Sequence, residues 1–195
     1  MEVILKNNSD GTTVGVSPEN QLKVVAESKS LQHFISQEKQ NTYQVIGTAT
    51  IANATTTVLH LQNTDPERDM VISYIRVQTI DAASGTALPS ANTYFDIGLD
   101  RTVSSGGSAV TPINVNASSG KTASVTATAA GPTMAGTFAE IDRWYCDADA
   151  GSNTFRKEGS IILGLNDTIE IRLTSDHTSG TAYARITFMM IDSVA

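Results

Sequence analysis

The residues best placed for chemistry lie in "DADAGSNTFRKE", where Asp147, Asp149 and Glu158 occupy the first, third and twelfth positions of a calcium-binding loop. The frame then breaks down. The sixth position, which needs glycine for a sharp turn, is Ser152, and the flanking residues carry no helical pattern. The three carboxylates remain a calcium candidate in some other geometry, beside the plain alternative of an acidic turn. Cys146 precedes them, but the neighbouring carboxylates Asp147 and Asp149 oppose a thiolate, so a buried structural thiol is expected. The three histidines, His33, His60 and His177, are too far apart in sequence to form a local metal pair. "SSGKTA" imitates a phosphate loop, yet Val115 stands where that loop requires its first glycine. No nucleophile elbow, triad or cofactor motif is present, and the expectation is a chain that is not an enzyme and carries no cofactor.

The elements that would hold such residues are strands. "TYQVIGTATI" and "TTTVLHLQN" are rich in β-branched residues, and the "ANA" between them reads as the turn of a hairpin. "TYFDIGL" alternates, with Phe95, Ile97 and Leu99 directed inward and Tyr94, Asp96 and Gly98 outward. "DTIEIRLTSDHTSGTAYARITFMMID" reads as a second hairpin: Ile169, Ile171 and Leu173 alternate with polar residues, and Ala184, Ile186, Phe188 and Met190 alternate back. "DMVISYIRVQTID" is apolar on both parities, the pattern of a strand covered on two faces. Many short strands and no long helix predict an all-β fold, an antiparallel β-sandwich of jelly-roll type over residues 43–195.

Two segments depart from that texture. Residues 1–42 combine short apolar runs with "SKSLQHFISQEKQ", where Leu31, Phe34 and Ile35 mark a short helical stripe. They predict an N-terminal arm, extended and short-helical, that docks on its own body or on a neighbouring subunit. Residues 106–132, "GGSAVTPINVNASSGKTASVTATAAGP", contain a single charge, Lys121, and exceed the usual length of an unstructured loop. Their apolar residues Val110, Ile113, Val115 and Val125 predict a long insertion ordered by another chain. Trp144 and Tyr145 are a further interface candidate, with core packing as the alternative.

Composition narrows the partners. The 195 residues carry a net charge of −7, which argues against nucleic acid and anionic membranes, and only 17% are charged, a surface suited to lateral packing. One cysteine excludes an internal disulfide framework. "MEVILKNNSDG" lacks a basic n-region, so synthesis and use without secretory export are expected, and no window is long and apolar enough for a membrane-spanning helix. The four Asn-x-Ser/Thr sequons carry no weight without export.

"GVSPENQLKVVAESKSLQHFISQEKQNTYQVIGTATI", "GSAVTPINVNAS" from Gly107 to Ser118 and "LGLNDTIEIRL" from Leu163 to Leu173 resemble segments of the virion structural proteins of tailed bacteriophages. Within that class the size and the single sandwich look most like a capsid decoration, or cement, protein. The resemblance implies a homo-oligomer, a trimer in many such proteins, that sits on the outer capsid surface of the virion after assembly in the host cytoplasm. There it would brace subunits of the major capsid protein. A head-fibre, tail-fibre or tail-tip module that binds a receptor or glycan is the alternative.

Overall fold

The structure, a computed structural model, describes residues 35–36, 39–80, 92–146, 153–156 and 160–193. Two antiparallel sheets dominate them. The first joins β1 (Thr42–Thr50), β3 (Arg68–Ile80), β7 (Ile113–Asn114), β11 (Asn153–Arg156), β12 (Ile162–Leu163) and β14 (Thr181–Asp192) in the order β11-β3-β14-β1-β7, with β12 also on β3. The second joins β2 (Thr55–Asn63), β4 (Tyr94–Leu99), β6 (Ser108–Ala109), β8 (Val125–Ala129), β10 (Ala139–Tyr145) and β13 (Thr168–Thr174) in the order β10-β4-β13-β2-β8-β6. A separate pair, β5 (Thr102–Ser105) and β9 (Thr133–Ala135), completes an all-β sandwich.

The alternation seen in the sequence decides which side chains meet between the sheets. Ala182, Ala184, Ile186, Phe188 and Met190 of β14 face Phe95 and Ile97 of β4 and Ile169, Ile171 and Leu173 of β13 in one buried cluster. Tyr43 stacks on Phe188 within it, ring centroids 5.7 Å apart. Cys146 is buried there too.

Both hairpins expected from the sequence are instead crossings between sheets. β1 pairs with β14 and β7, while β2 pairs with β13 and β8. Likewise β13 lies in the second sheet and β14 in the first. Alternation gives a strand one apolar face but does not say whether the next strand lies beside it or opposite it, and here the apolar faces are satisfied across the sandwich. The crossing after β2 is fixed by side chains. Asn63 Nδ2 donates to the carbonyls of Arg68 and Leu163, each at 2.9 Å, and Asp65 Oδ1 accepts from the N–H groups of Glu67 and Arg68.

The double parity of β3 has a local cause. Its register with β14 shifts between Ile72 and Tyr74, so Ser73 is an extra residue and the inward set changes from Met70 and Ile72 to Ile75 and Val77. At one end of the outer face Ile35, Val71 and Met189 form a second small cluster with Ile191 against it.

The stretch 106–132 forms strands that pair within its own chain. β6 and β8 extend the second sheet beyond β2, and β7 pairs with β1 at the border of the first. Val110 and Val125 pack against the core, which accounts for their apolar character, whereas Ile113 and Val115 are exposed, Ile113 to 71%. Gly107, at φ +74°, allows the sharp entry; a Cβ there would lie 2.8 Å from the Ala129 carbonyl oxygen. Asn114 Nδ2 donates to Gln40 O at 2.8 Å and Lys121 Nζ to Lys39 O at 2.7 Å, so the segment also clasps the residues leading into β1.

The facing sheet leaves no room for a side chain at Gly47, where an added Cβ would lie 2.7 Å from Val58 O and 2.9 Å from Leu59 Cβ. Both neighbours belong to the facing sheet, and one is backbone, so neither yields cheaply. Gly47→Val is expected to destabilise the fold by about 1–3 kcal/mol. Urea unfolding checks this, with Thr48→Val on the exposed side of the same strand expected to be close to neutral.

Candidate functional site

The outer face of the second sheet carries the main polar arrangement among the described residues. Because cross-strand partners share a face, register alone assembles three rows. Arg143, Asp96, Arg172 and Thr57 line up across β10, β4, β13 and β2. Glu140, Gly98, Glu170, His60 and Thr128 form the next row, and Tyr145, Tyr94, Thr174 and Thr55 the one on the other side. Alternation in the sequence turns Asp96 and the polar residues of β13 outward, yet outward here is not exposed: Asp96 is 0% exposed and Glu170 1%.

Burial of both carboxylates is matched by paired cations. Asp96 Oδ1 accepts from Arg143 Nε at 2.7 Å and Asp96 Oδ2 from Arg172 Nε at 3.0 Å. Glu170 accepts from Thr57 Oγ1 at 2.5 Å and from Arg101 Nη1 at 3.3 Å to Oε2. Arg143 also donates to Tyr145 Oη and to Glu140 Oε2, and those bonds with the Asp96 charge hold its guanidinium above the ordinary pKa. Two arginines share the buried Asp96, and Glu140 on Arg143 supplies the second negative charge, so the cluster is near neutrality and its members are fixed.

The cover over this face comes from the segments on either side of the β5–β9 pair. Arg101 Nη2 donates to Met134 O at 3.2 Å. Phe138 lies over Gly98, where a Cβ would fall 2.5 Å from its ring, and the Arg172 guanidinium sits 3.6 Å from the ring centroid. The missing side chain at Gly98 therefore makes room for the ring that supports Arg172. His60 Nε2 donates to Arg101 O at 2.9 Å, which leaves Nδ1 as a bare acceptor, buried with no partner.

Between the sheet face and β9 lies a hollow of about 500 Å³, lined by Thr55, Thr56, Thr57, Thr133 and Thr174 with Tyr94, Arg101, Gly131, Pro132, Met134 and Arg172. The Thr55 and Thr174 hydroxyls are 2.8 Å apart and hydrogen-bonded. Arg101 Nε is buried without a partner, and the Nη groups of Arg172 make no hydrogen bond to a described residue. Sequence reasoning missed this arrangement because Arg101, immediately before β5, and Thr133 of β9 reach it from a pair whose place over the second sheet has no local signal.

The residues singled out in the sequence are dispersed. Asp147, Asp149, Glu158, Leu31 and Phe34, like His33, lie outside the described residues. Ile35 is buried against Val71 and Met189 on the outer face of the first sheet. Trp144 packs inward and stacks on Phe95 at 6.0 Å, whereas Tyr145 is exposed and tilts against Tyr94 at 5.3 Å. The pair is thus divided between core and surface by strand alternation. Val110, Ile113 and Val115 belong to the segment that borders both sheets and touch neither the hollow nor the charged rows. Among the described residues no three His, Cys, Asp or Glu side chains gather as metal ligands do, and no helix is long and apolar enough to cross a membrane. No family model, curated protein or solved structure matches the chain.

Two consequences can be measured. Asp96→Asn leaves two arginines without their shared anion and is expected to cost about 3 kcal/mol, at the lower end for a broken buried pair because both guanidiniums reach solvent. Glu140→Gln, at an exposed pair, should stay within about 1 kcal/mol by the same unfolding assay. His60 has its pKa lowered by burial, reinforced by the Arg101 charge and opposed by its hydrogen bond to Arg101 O and by Glu170. Because the unfolded chain then binds the proton more readily, the contribution of neutral His60 to stability is complete above pH 6.5. It declines as pH falls below that value and is gone below the folded-state pKa. Urea midpoints between pH 7.5 and 5 should fall more steeply for the unaltered chain than for His60→Gln.

Proposed function

We propose that this chain is a virion structural protein: a decoration or cement subunit that binds the outside of a phage capsid and bridges subunits of the major capsid protein, without catalysis. The observation that carries the reading is the contact at Ile35. Buried to 7% exposure against Val71, Met189 and Ile191, it lies on the outer face of the first sheet, outside the sandwich core. Residue 35 is thereby held on the face that, in this reading, an arm would cross.

The rest of that face suits the same role. Thr42 and Thr187 are buried there, their hydroxyls have no hydrogen-bond partner, and an arm laid alongside would supply one. Farther along the sheet, Ile46 is half-exposed beside a shallow hollow of about 210 Å³ lined also by Ile80, Tyr183, Arg76 and Arg185. Such a surface, apolar with arginine at its margin, has the composition of a protein interface. The strand order supports the jelly-roll reading: β1-β14-β3-β11 in one sheet and β2-β13-β4-β10 in the other is the order of two interlocked Greek keys.

In this reading the arm binds across to a second subunit, and the oligomer is a trimer. Repetition over a shell then converts modest contacts into strong attachment through multivalency. Removal of residues 1–34 retains Ile35 and the hydrogen-bonded residues 39–41, so the sandwich should still unfold cooperatively. Light scattering is expected to give three times the chain mass of 20.6 kDa for the full chain and a monomer for the truncated one. Co-sedimentation with purified phage shells should be lost with the arm. A truncated chain that keeps both the oligomer and shell binding would overturn the proposal.

A further inference from the structure

We propose that the threonine-lined hollow over the second sheet is a binding site for a saccharide unit, held by Arg172, the surrounding hydroxyls and the edge of Tyr94. This inference does not rest on the capsid reading, since it concerns the opposite face of the sandwich.

The argument begins with what has been made rigid. Arg172 is fixed through Nε by Asp96, which is itself fully buried and held from its other oxygen by Arg143. The Phe138 ring lies against the plane of the guanidinium. What is left is the outer edge, the two Nη groups, at the wall of the hollow and without a protein partner among the described residues. A long side chain on a surface ordinarily loses conformational freedom when it binds a ligand; here that loss has already been met in folding. Arg101 lines the same hollow, tied to Glu170 and to the Met134 carbonyl.

The lining then selects the ligand chemistry. Five threonines line it: Thr57 gives its proton to Glu170 and Thr55 and Thr174 bond to each other, which leaves acceptor lone pairs there and the hydroxyls of Thr56 and Thr133, while Tyr94, Pro132 and Met134 add apolar surface. A volume of about 500 Å³ falls within the usual range for small-ligand sites, roughly 300–1,000 Å³. A polyhydroxylated ring with one apolar face matches both kinds of surface. A phosphate-rich ligand does not, because Asp96 and Glu170 offset the arginine charges and the chain carries a net charge of −7. A bound peptide strand would use an open backbone edge, whereas these groups are side chains on a sheet face.

The test is an array of immobilised neutral and carboxylated oligosaccharides, followed by titration of the best-bound one by calorimetry with the full chain. Saturable one-to-one binding is expected. Two substitutions locate it. Arg172→Lys keeps the charge but removes the fork, and should weaken binding at least tenfold. Thr133→Trp, at an exposed position of β9, fills the hollow without altering a buried residue and should abolish binding while leaving the unfolding midpoint in place. If no oligosaccharide binds saturably, or if binding survives Thr133→Trp, the proposal is wrong.

Discussion

Each principal strand of this protein has one face that must leave water, and no neighbour within its own sheet can cover it. Covering requires a second sheet about 10 Å away. This constraint organises the chain: it crosses from β1 to β2, from β2 to β3 and from β3 to β4, and returns from β13 to β14, always placing the next apolar face opposite the last. Gly47 meets Val58 and Leu59 with no room for a side chain, and small residues continue there with Ala49, Ala182 and Ala184, all buried. Large rings gather elsewhere, Tyr43 on Phe188 and Phe95 under Trp144. The spacing between sheets thus follows from where residue volume has been placed.

The outer faces are treated differently. On the second sheet, the charged row of Arg143, Asp96 and Arg172 is partly roofed, so that ionic pairs are held in place by packing as well as by charge. Gly98 is central to this: its lack of a side chain lets Phe138 descend onto the sheet. On the first sheet the outer contact described is apolar, Ile35 against Val71, Met189 and Ile191. The exteriors therefore differ in how they are covered: the second sheet carries a roofed row of charged and hydroxyl groups, the first an aliphatic patch at Ile35 among threonines, Arg76 and Arg185.

Much of the core was legible because alternation is a local property. Phe95, Ile97, Ile169, Ile171, Leu173, Ile186 and Phe188 could be assigned inward from their neighbours alone, and all are buried. Pairing was not legible, since the same alternation serves a hairpin and a crossing equally well. β3 was misleading for a subtler reason: one inserted residue, Ser73, makes a strand with a single inward set look apolar on both sides. The candidate site was readable only as a list of outward residues. Its depth depends on Arg101, Thr133 and Phe138, brought over the sheet by long-range contacts that no short window of sequence contains.

The borders of the sheets carry a consequence for how this protein behaves when crowded. β6, β7 and β12 are two residues each, and the longer border strand β10 is interrupted by a bulge and carries Glu140, Asp142 and Arg143. Such borders give an incoming strand almost no backbone to zip onto, which is how natural sheets avoid amyloid-like growth. Copies held side by side at high density would therefore stay distinct, and any lattice they join could be taken apart and rebuilt without the chains fusing.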